Sequence, residues 1–243
     1  MGMNTTLVIN AKGGVGKTTI TTNLASYFAS RSVPTTIADY DPQGSSLNWL
    51  QNRPIDAFKI HGADLSPRTG SGSSVTRRQI PRETSELIID APAGASRLLL
   101  QDLLARTQAI LIPVAPSSID VHATAKFIKE LLLVGQVRFR HIRVAVLANR
   151  VRTGKPIYAP LERFIASLRI DFLAHISDSD VYVDAAERGL GVFEMSADKA
   201  GREQREILPV VRWVQGHAPA VTRGTTNVVS LARPERRRTP RRK

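Results

Sequence analysis

The sequence predicts an α/β fold: a mainly parallel, twisted sheet with helices on both faces. Three observations carry this. Short, nearly continuous aliphatic runs recur along the chain, the pattern of strands buried on both sides. Most are followed by an amphipathic stretch long enough for a helix, as βαβ units require. Aromatic residues are only 5% of the chain, so the core is aliphatic. Right-handed crossovers then put the strand-to-helix loops on one edge of the sheet, the edge where ligands bind in open α/β folds.

Thr6–Asn10 reads as the first strand. Lys17–Ser30 follows as a helix with Ile20, Leu24 and Tyr27/Phe28 on one face. Pro34 opens a strand at Thr35–Asp39, and Ser45–Asn52 is a short helix. Gly62–Gly72 is rich in Gly, Ser and Pro and is expected to be a loop. Leu87–Asp90 is a strand and Ser96–Arg106 a helix. Ala109–Val114 is a strand, and Ser118–Val134 a long helix with Ser117 or Ser118 as cap. Arg143–Ala148 is a strand, 157–168 a helix and Phe172–Ile176 a strand. Helices near 180–188 and 198–216 close a single domain, residues 1–216. From Ala218 periodicity is lost, and Arg233–Lys243 (RPERRRTPRRK) is low-complexity and basic. Residues 217–243 are therefore expected to form a disordered basic tail.

A chain of 243 residues buries enough surface to fold without a metal or disulfide. Cysteine is absent, which excludes a disulfide scaffold, a Cys-ligated zinc site, an iron–sulfur cluster and thiol catalysis. No apolar run reaches the roughly 18 residues of a membrane span. Lys and Arg total 34 against 21 Asp and Glu, a formal charge of +13. The segment from His217 onward carries +7 of this, so both parts are basic. Such a balance points to a polyanionic partner, either nucleic acid or an acidic membrane surface. Simple solubility is the alternative, though negative charge serves that at least as well.

The first strand runs into Ala11-Lys12-Gly13-Gly14-Val15-Gly16-Lys17-Thr18-Thr19 and then into a helix. This is a phosphate loop, G-x-x-x-x-G-K-[ST], with Ala11 at the first Gly. Gly13, Gly14, Val15 and Gly16 let backbone N–H groups converge on phosphate oxygens. The helix that follows adds its positive end. Lys17 reaches the β- and γ-phosphates, Thr18 is a Mg²⁺ ligand, and Thr19 completes the nucleotide contact. The extra lysine, Lys12, gives K-G-G-V-G-K-T-T, which resembles the deviant Walker A motif of the ParA/MinD ATPases. That resemblance implies a P-loop NTPase fold. It also implies that Lys12 reaches across a nucleotide-sandwich dimer to the other subunit's phosphates.

Further motifs follow the resemblance. Asp39-Tyr40-Asp41-Pro42-Gln43 ends the second strand. By resemblance Asp39 holds Mg²⁺ through water and Asp41 positions the attacking water; an ordinary capping turn is the alternative. Leu87–Asp90 ends in the Walker B aspartate, Asp90, a further Mg²⁺ contact. The loop Ala91-Pro92-Ala93-Gly94 departs from the family's D-T-P-P-G at Ala91 and Ala93. Pro113-Val114-Ala115-Pro116-Ser117-Ser118-Ile119-Asp120 resembles P-V-x-P-S-x-x-D, which in the family lies near the nucleotide and dimer face; a strand end with a helix cap reads equally well. Asn149 stands where relatives read the adenine amino group, or simply at a strand-end turn. Ser45–Trp49 and the segment Asp180–Glu194 are similar to small ParF-like members.

The family positions cargo: an ATP-bound dimer holds a large surface, and a cargo-borne partner stimulates hydrolysis and release. Membrane binding needs a C-terminal amphipathic helix with a bulky apolar face, and none is legible here. The charge suits phosphate neutralisation instead. Lys199, Arg202, Arg205 and Arg212 lie on the terminal helix, with 202, 205 and 212 on one broad face; a merely solvated face is the alternative. The expected activity is ATP hydrolysis with ATP and Mg²⁺ as cofactors. The expected partners are a second copy, non-specific double-stranded DNA and a ParB-like or McdB-like cargo adaptor, with no membrane. The expected location is cytoplasmic and nucleoid-associated, and the cargo is a plasmid or chromosomal locus or a protein body such as a carboxysome. A MinD-like membrane ATPase or a P-loop metabolic enzyme is the alternative.

Overall fold

A computed structural model of the chain describes residues 2–66, 79–134, 141–152, 159–167 and 170–217. Its strands are β1 (Asn4–Val8), β2 (Thr35–Asp39), β3 (His61–Asp64), β4 (Glu86–Asp90), β5 (Ala109–Val114), β6 (Arg143–Val151) and β7 (Asp171–Ser177). Its helices are α1 (Lys17–Ser30), α2 (Ser45–Gln51), α3 (Arg97–Ala105), α4 (Ser118–Val134), α5 (Ala159–Ser167), α6 (Asp180–Glu187) and α7 (Ala197–Val214). A 3-10 turn covers Val192–Glu194.

The described strands form one seven-stranded sheet in the order β3-β2-β4-β1-β5-β6-β7. Every pairing is parallel. Side chains alternate between the faces, as a pleated strand requires. Leu87 and Ile89 enter a core with Leu103 of α3 and Ile128 of α4. Ile88 enters the opposite core with Leu24 of α1 and Val211 of α7. The layering is thus α3–α5 on one face and α1, α2, α6 and α7 on the other.

Two elements differ from expectation. His61–Asp64 pairs with β2 as an edge strand, although Gly62 was expected to open a loop. That glycine lies close under α2: a Cβ there would stand 2.7 Å from the tip of Leu50 and 2.9 Å from that of Leu47, which would both have to shift. The remainder of the expected loop, from residue 67, lies outside the described residues. The sixth strand runs on to Val151, and register shifts interrupt its pairing with β7. Such irregularities are common beside functional sites. Residues 218–243, the expected basic tail, also lie outside the described residues.

Candidate functional site

The carboxyl ends of β1, β4 and β2 lie side by side, with Val8, Asp90 and Asp39 in register. The loop from Ala11 to Gly16 rises from β1, and α1 starts at Lys17. The loop is held from below. Asn10, fully buried, donates to the Pro113 carbonyl (2.8 Å) and to Thr124 (3.0 Å) and accepts from the Lys12 N–H (3.2 Å). Val15 is buried in the core. Asn149, 3% exposed, donates from Nδ2 to the Val15 carbonyl at 2.8 Å. The side chain expected at the adenine thus also braces the loop through its amide nitrogen. Gly16 is obligatory. Its φ is +89°, and a Cβ would stand 1.9 Å from Asn149 Nδ2. Gly14, with φ +73°, has open space where its Cβ would be, as a cradle for phosphate needs.

Lys17 Nζ donates to the Lys12 carbonyl at 3.4 Å. Burial lowers its pKa, and Asp90 and Asp41 work against that shift. Lys12 Nζ stands 3.8 Å from Asp120 Oδ1, with its side chain 44% exposed. An ion pair this open contributes little, so the ammonium is easily withdrawn. Asp120 and Ser117 also form a reciprocal cap at the start of α4. The helix-cap reading of that motif is thus met, and the same aspartate stands beside Lys12.

The three aspartates have distinct surroundings. Asp39 is 1% exposed. Its Oδ1 accepts from the Asp41 N–H, and its Oδ2 from the Ser46 N–H, Ser46 hydroxyl and Leu47 N–H. It therefore ties the acidic turn to the start of α2. Asp41 lies beyond β2, and its carboxylate accepts the Gln43 N–H. Asp90 Oδ2 accepts from the Thr18 hydroxyl at 2.8 Å, while its Oδ1 is buried without a hydrogen-bond partner. Burial first, then Asp39, pushes the Asp90 carboxyl up to about 7.

These residues fit a Mg²⁺ ion. The donors are oxygens, one buried carboxylate oxygen is unsatisfied, and a neighbouring carboxylate disfavours a second negative charge. Among the described residues no cluster of His, Asp and Glu would cage a metal unaided. That suits Mg²⁺, which keeps its waters and takes one or two carboxylates plus phosphate oxygens.

A cavity of about 420 Å³ opens beside Thr18 and Thr19, bounded by Asn48 and Trp49 of α2 and Tyr182 of α6. Burial, with Glu206 and Glu203 adding to it, pushes the Tyr182 phenol far above its usual range, so it stays a donor. The expected DNA-binding residues are elsewhere. Lys199, Arg202, Arg205 and Arg212 are all exposed on α7, which packs on the α1 side of the sheet. Asn10, Ser46, Thr124 and Glu206 went unread in the sequence. Only Asn10 carried a signal, a polar residue closing an apolar strand directly before the phosphate loop.

Comparison with known proteins agrees with this architecture. A "Maintenance of carboxysome distribution protein A" from Halothiobacillus neapolitanus is 25% identical over 84% of this chain and 96% of its own length. A "Protein ParA" from Rhizobium radiobacter is 27% identical over 61% of this chain and 65% of its own length. Among solved structures, the MinD cell division protein of Aquifex aeolicus superposes with a TM-score of 0.67 at 16% identity, covering 90% of this chain and all of that one. An ATP complex of a Cyanothece McdA variant gives 0.65 at 15% identity, over 90% of this chain and 98% of that one. These two likenesses concern the fold. The model of the CobQ/CobB/MinD/ParA nucleotide binding domain matches residues 6–192, most of the chain, with the phosphate loop, the three aspartates and Asn149 but not α7. The chain belongs to the CobQ/CobB/MinD/ParA nucleotide-binding domain family.

Proposed function

We propose that this chain is a positioning ATPase that pairs with a second copy on binding ATP and then holds double-stranded DNA without sequence preference. It hydrolyses ATP to ADP and phosphate slowly, until a cargo adaptor of ParB-like or McdB-like type speeds the reaction. The observation that carries the reading is α7. Its exposed face presents Lys199, Arg202, Arg205 and Arg212, and Glu206 and Glu203 of the same helix bond to Ser177 and Ser179, in the connection that leads to Tyr182 at the cavity beside Thr18 and Thr19. A cationic surface joined to a phosphate loop suits a switch better than it suits a metabolic enzyme. The relatives' names support positioning in two versions, carboxysome distribution and chromosome partitioning.

In this reading the backbone of Gly13–Gly16 and the Lys17 ammonium bind the phosphates, with Thr19 beside them. Thr18, Asp90 and, through water, Asp39 would hold Mg²⁺, which supplies charge neutralisation at the phosphate oxygens when bound. Asp41, the most accessible of the three carboxylates, orients the attacking water. Asn149 acts by fixing Val15 and hence the loop. Lys12 leaves Asp120 and meets the partner's phosphates, a cation placed where charge develops.

Binding of a random-sequence duplex with Mg-ATP, Mg-ADP or no nucleotide, at several salt concentrations, tests the reading. Sequence-indifferent binding that requires ATP and weakens with salt supports it. Equal binding in all three conditions contradicts it. No helix among the described residues is long and apolar enough to cross a membrane.

A further inference from the structure

Glu206 is on α7, one turn beyond Arg202. Its two carboxylate oxygens face different partners. Oε1 accepts from Arg202 Nε at 2.9 Å. Oε2 accepts from the Ser177 N–H at 2.9 Å and the Ser177 hydroxyl at 2.8 Å, with the Tyr182 hydroxyl at 3.4 Å. Ser177 is the last residue of β7, at the edge of the sheet that carries the phosphate loop. Tyr182 lines the cavity that opens beside Thr18 and Thr19. Ser179, in the same connection, donates to Glu203 of α7 at 2.8 Å.

The environments of the two ends differ. The Glu206 side chain is only 16% exposed, whereas Arg202 is 59% exposed. The carboxylate is therefore anchored, and the guanidinium is the movable member. While Arg202 lies along Glu206, its charge is partly cancelled and its Nε–H is occupied, so it is a poorer phosphate ligand. Any displacement of the 177–182 connection changes what Oε2 accepts, and with it how firmly Oε1 holds the arginine.

We propose that Glu206 is a coupling residue: it restrains Arg202 in the nucleotide-free chain and yields it to a DNA phosphate when nucleotide shifts the Ser177–Tyr182 connection. This rests on the reading of α7 as a DNA-binding surface. Glu206 itself touches neither nucleotide nor DNA; it positions Arg202.

A double-mutant cycle tests it. Wild type, Glu206→Gln, Arg202→Gln and the double variant are titrated with a random duplex, each without nucleotide, with Mg-ADP and with Mg-ATP. Glu206→Gln is expected to tighten nucleotide-free binding by up to about tenfold and to steepen the log–log salt slope by about 0.9, one added phosphate contact. With Mg-ATP the same substitution is expected to add little, because Arg202 is already released. In the Arg202→Gln background the Glu206→Gln effect is expected to vanish. A fold defect from losing Glu206 would appear in both backgrounds, so an effect that survives without Arg202 overturns the proposal. So does an equal gain in all nucleotide states, or no gain while wild type still discriminates ATP. Absence of DNA binding by wild type in every state instead removes the DNA reading itself, and this coupling with it.

Discussion

At Asp90 two demands meet. In the proposed function the carboxylate helps hold Mg²⁺, and in the structure it is buried with one oxygen unsatisfied. Its pKa, raised from 3.8 to about 7, means that the folded chain holds this proton more tightly than the unfolded one. Stability is therefore unpenalised below about pH 4, falls as pH rises through the window to about 7, and carries the full penalty above it. Asp90→Asn is expected to raise the nucleotide-free melting temperature more at pH 8 than at pH 5, while abolishing Mg²⁺-dependent nucleotide binding. The penalty removed is a few kcal/mol at most, at about 1.4 kcal/mol per unit. Equal effects at the two pH values would contradict the assignment. Gly16→Ala meets a steric objection of another kind: positive φ and a collision with Asn149. It is expected to cost at least about 2 kcal/mol of stability and most of the ATP affinity, read by denaturant unfolding and nucleotide titration. Lys17→Ala should spare the fold, because its Nζ bonds only to the Lys12 carbonyl, and should weaken ATP binding on the order of 100-fold. Gly16 and Lys17 were legible in the sequence because the loop is contiguous, and Asp90 because it ends an aliphatic strand. Asn10, Thr124 and Glu206 were not, because their partners lie far along the chain and only the folded sheet brings them together.

Among elements, α2 connects the acidic turn to the far side of the domain. Asp39 holds its first turn. At its other end Trp49 donates to the Leu190 carbonyl. Arg53, just past the helix, makes a two-pronged pair with Glu194 at 2.6 and 3.0 Å. Both side chains are nearly buried, 7% and 5% exposed. Arg53 also donates to the Gly189 carbonyl and stacks on Trp49. Removing one charge strands the other, so Arg53→Ala or Glu194→Ala is expected to destabilise by about 3–5 kcal/mol, seen as a lowered denaturation midpoint. A change below about 1 kcal/mol would mean that the pair is solvated in solution. The helices and the aliphatic strands could be read from periodicity. Strand β3 could not: His61-Gly62-Ala63-Asp64 has turn-like composition, and only β2 beside it and the α2 leucines above Gly62 make it a strand. The pairing between α2 and the 3-10 turn left no trace in either segment alone.

The whole molecule presents a phosphate loop at one edge of its sheet and a basic helix on the α1 face. In the proposed pairing of two copies over ATP, Lys12 gains a second anionic partner, whereas within one chain its half-exposed ammonium rests 3.8 Å from Asp120. A Lys12→Ala chain is therefore expected to bind ATP yet hydrolyse it at no more than a few per cent of the wild-type rate, as for loss of a trans-acting cation. Asp41→Ala is expected to bind ATP and remain paired, since the hydrogen bonds of Lys17 and Asp90 do not involve its carboxylate. The general fold and the phosphate loop are legible in the order of residues alone. The relation of α7 to the site is not, since it depends on how residues 177–182 dock on that helix. Sedimentation velocity on the Asp41→Ala chain tests the central idea most directly, because this variant does not consume its ligand. Twice the monomer mass is expected with Mg-ATP, the monomer with Mg-ADP, and the monomer in both when Lys12→Ala is added. A monomer with Mg-ATP, or a dimer indifferent to nucleotide and to Lys12, would contradict it.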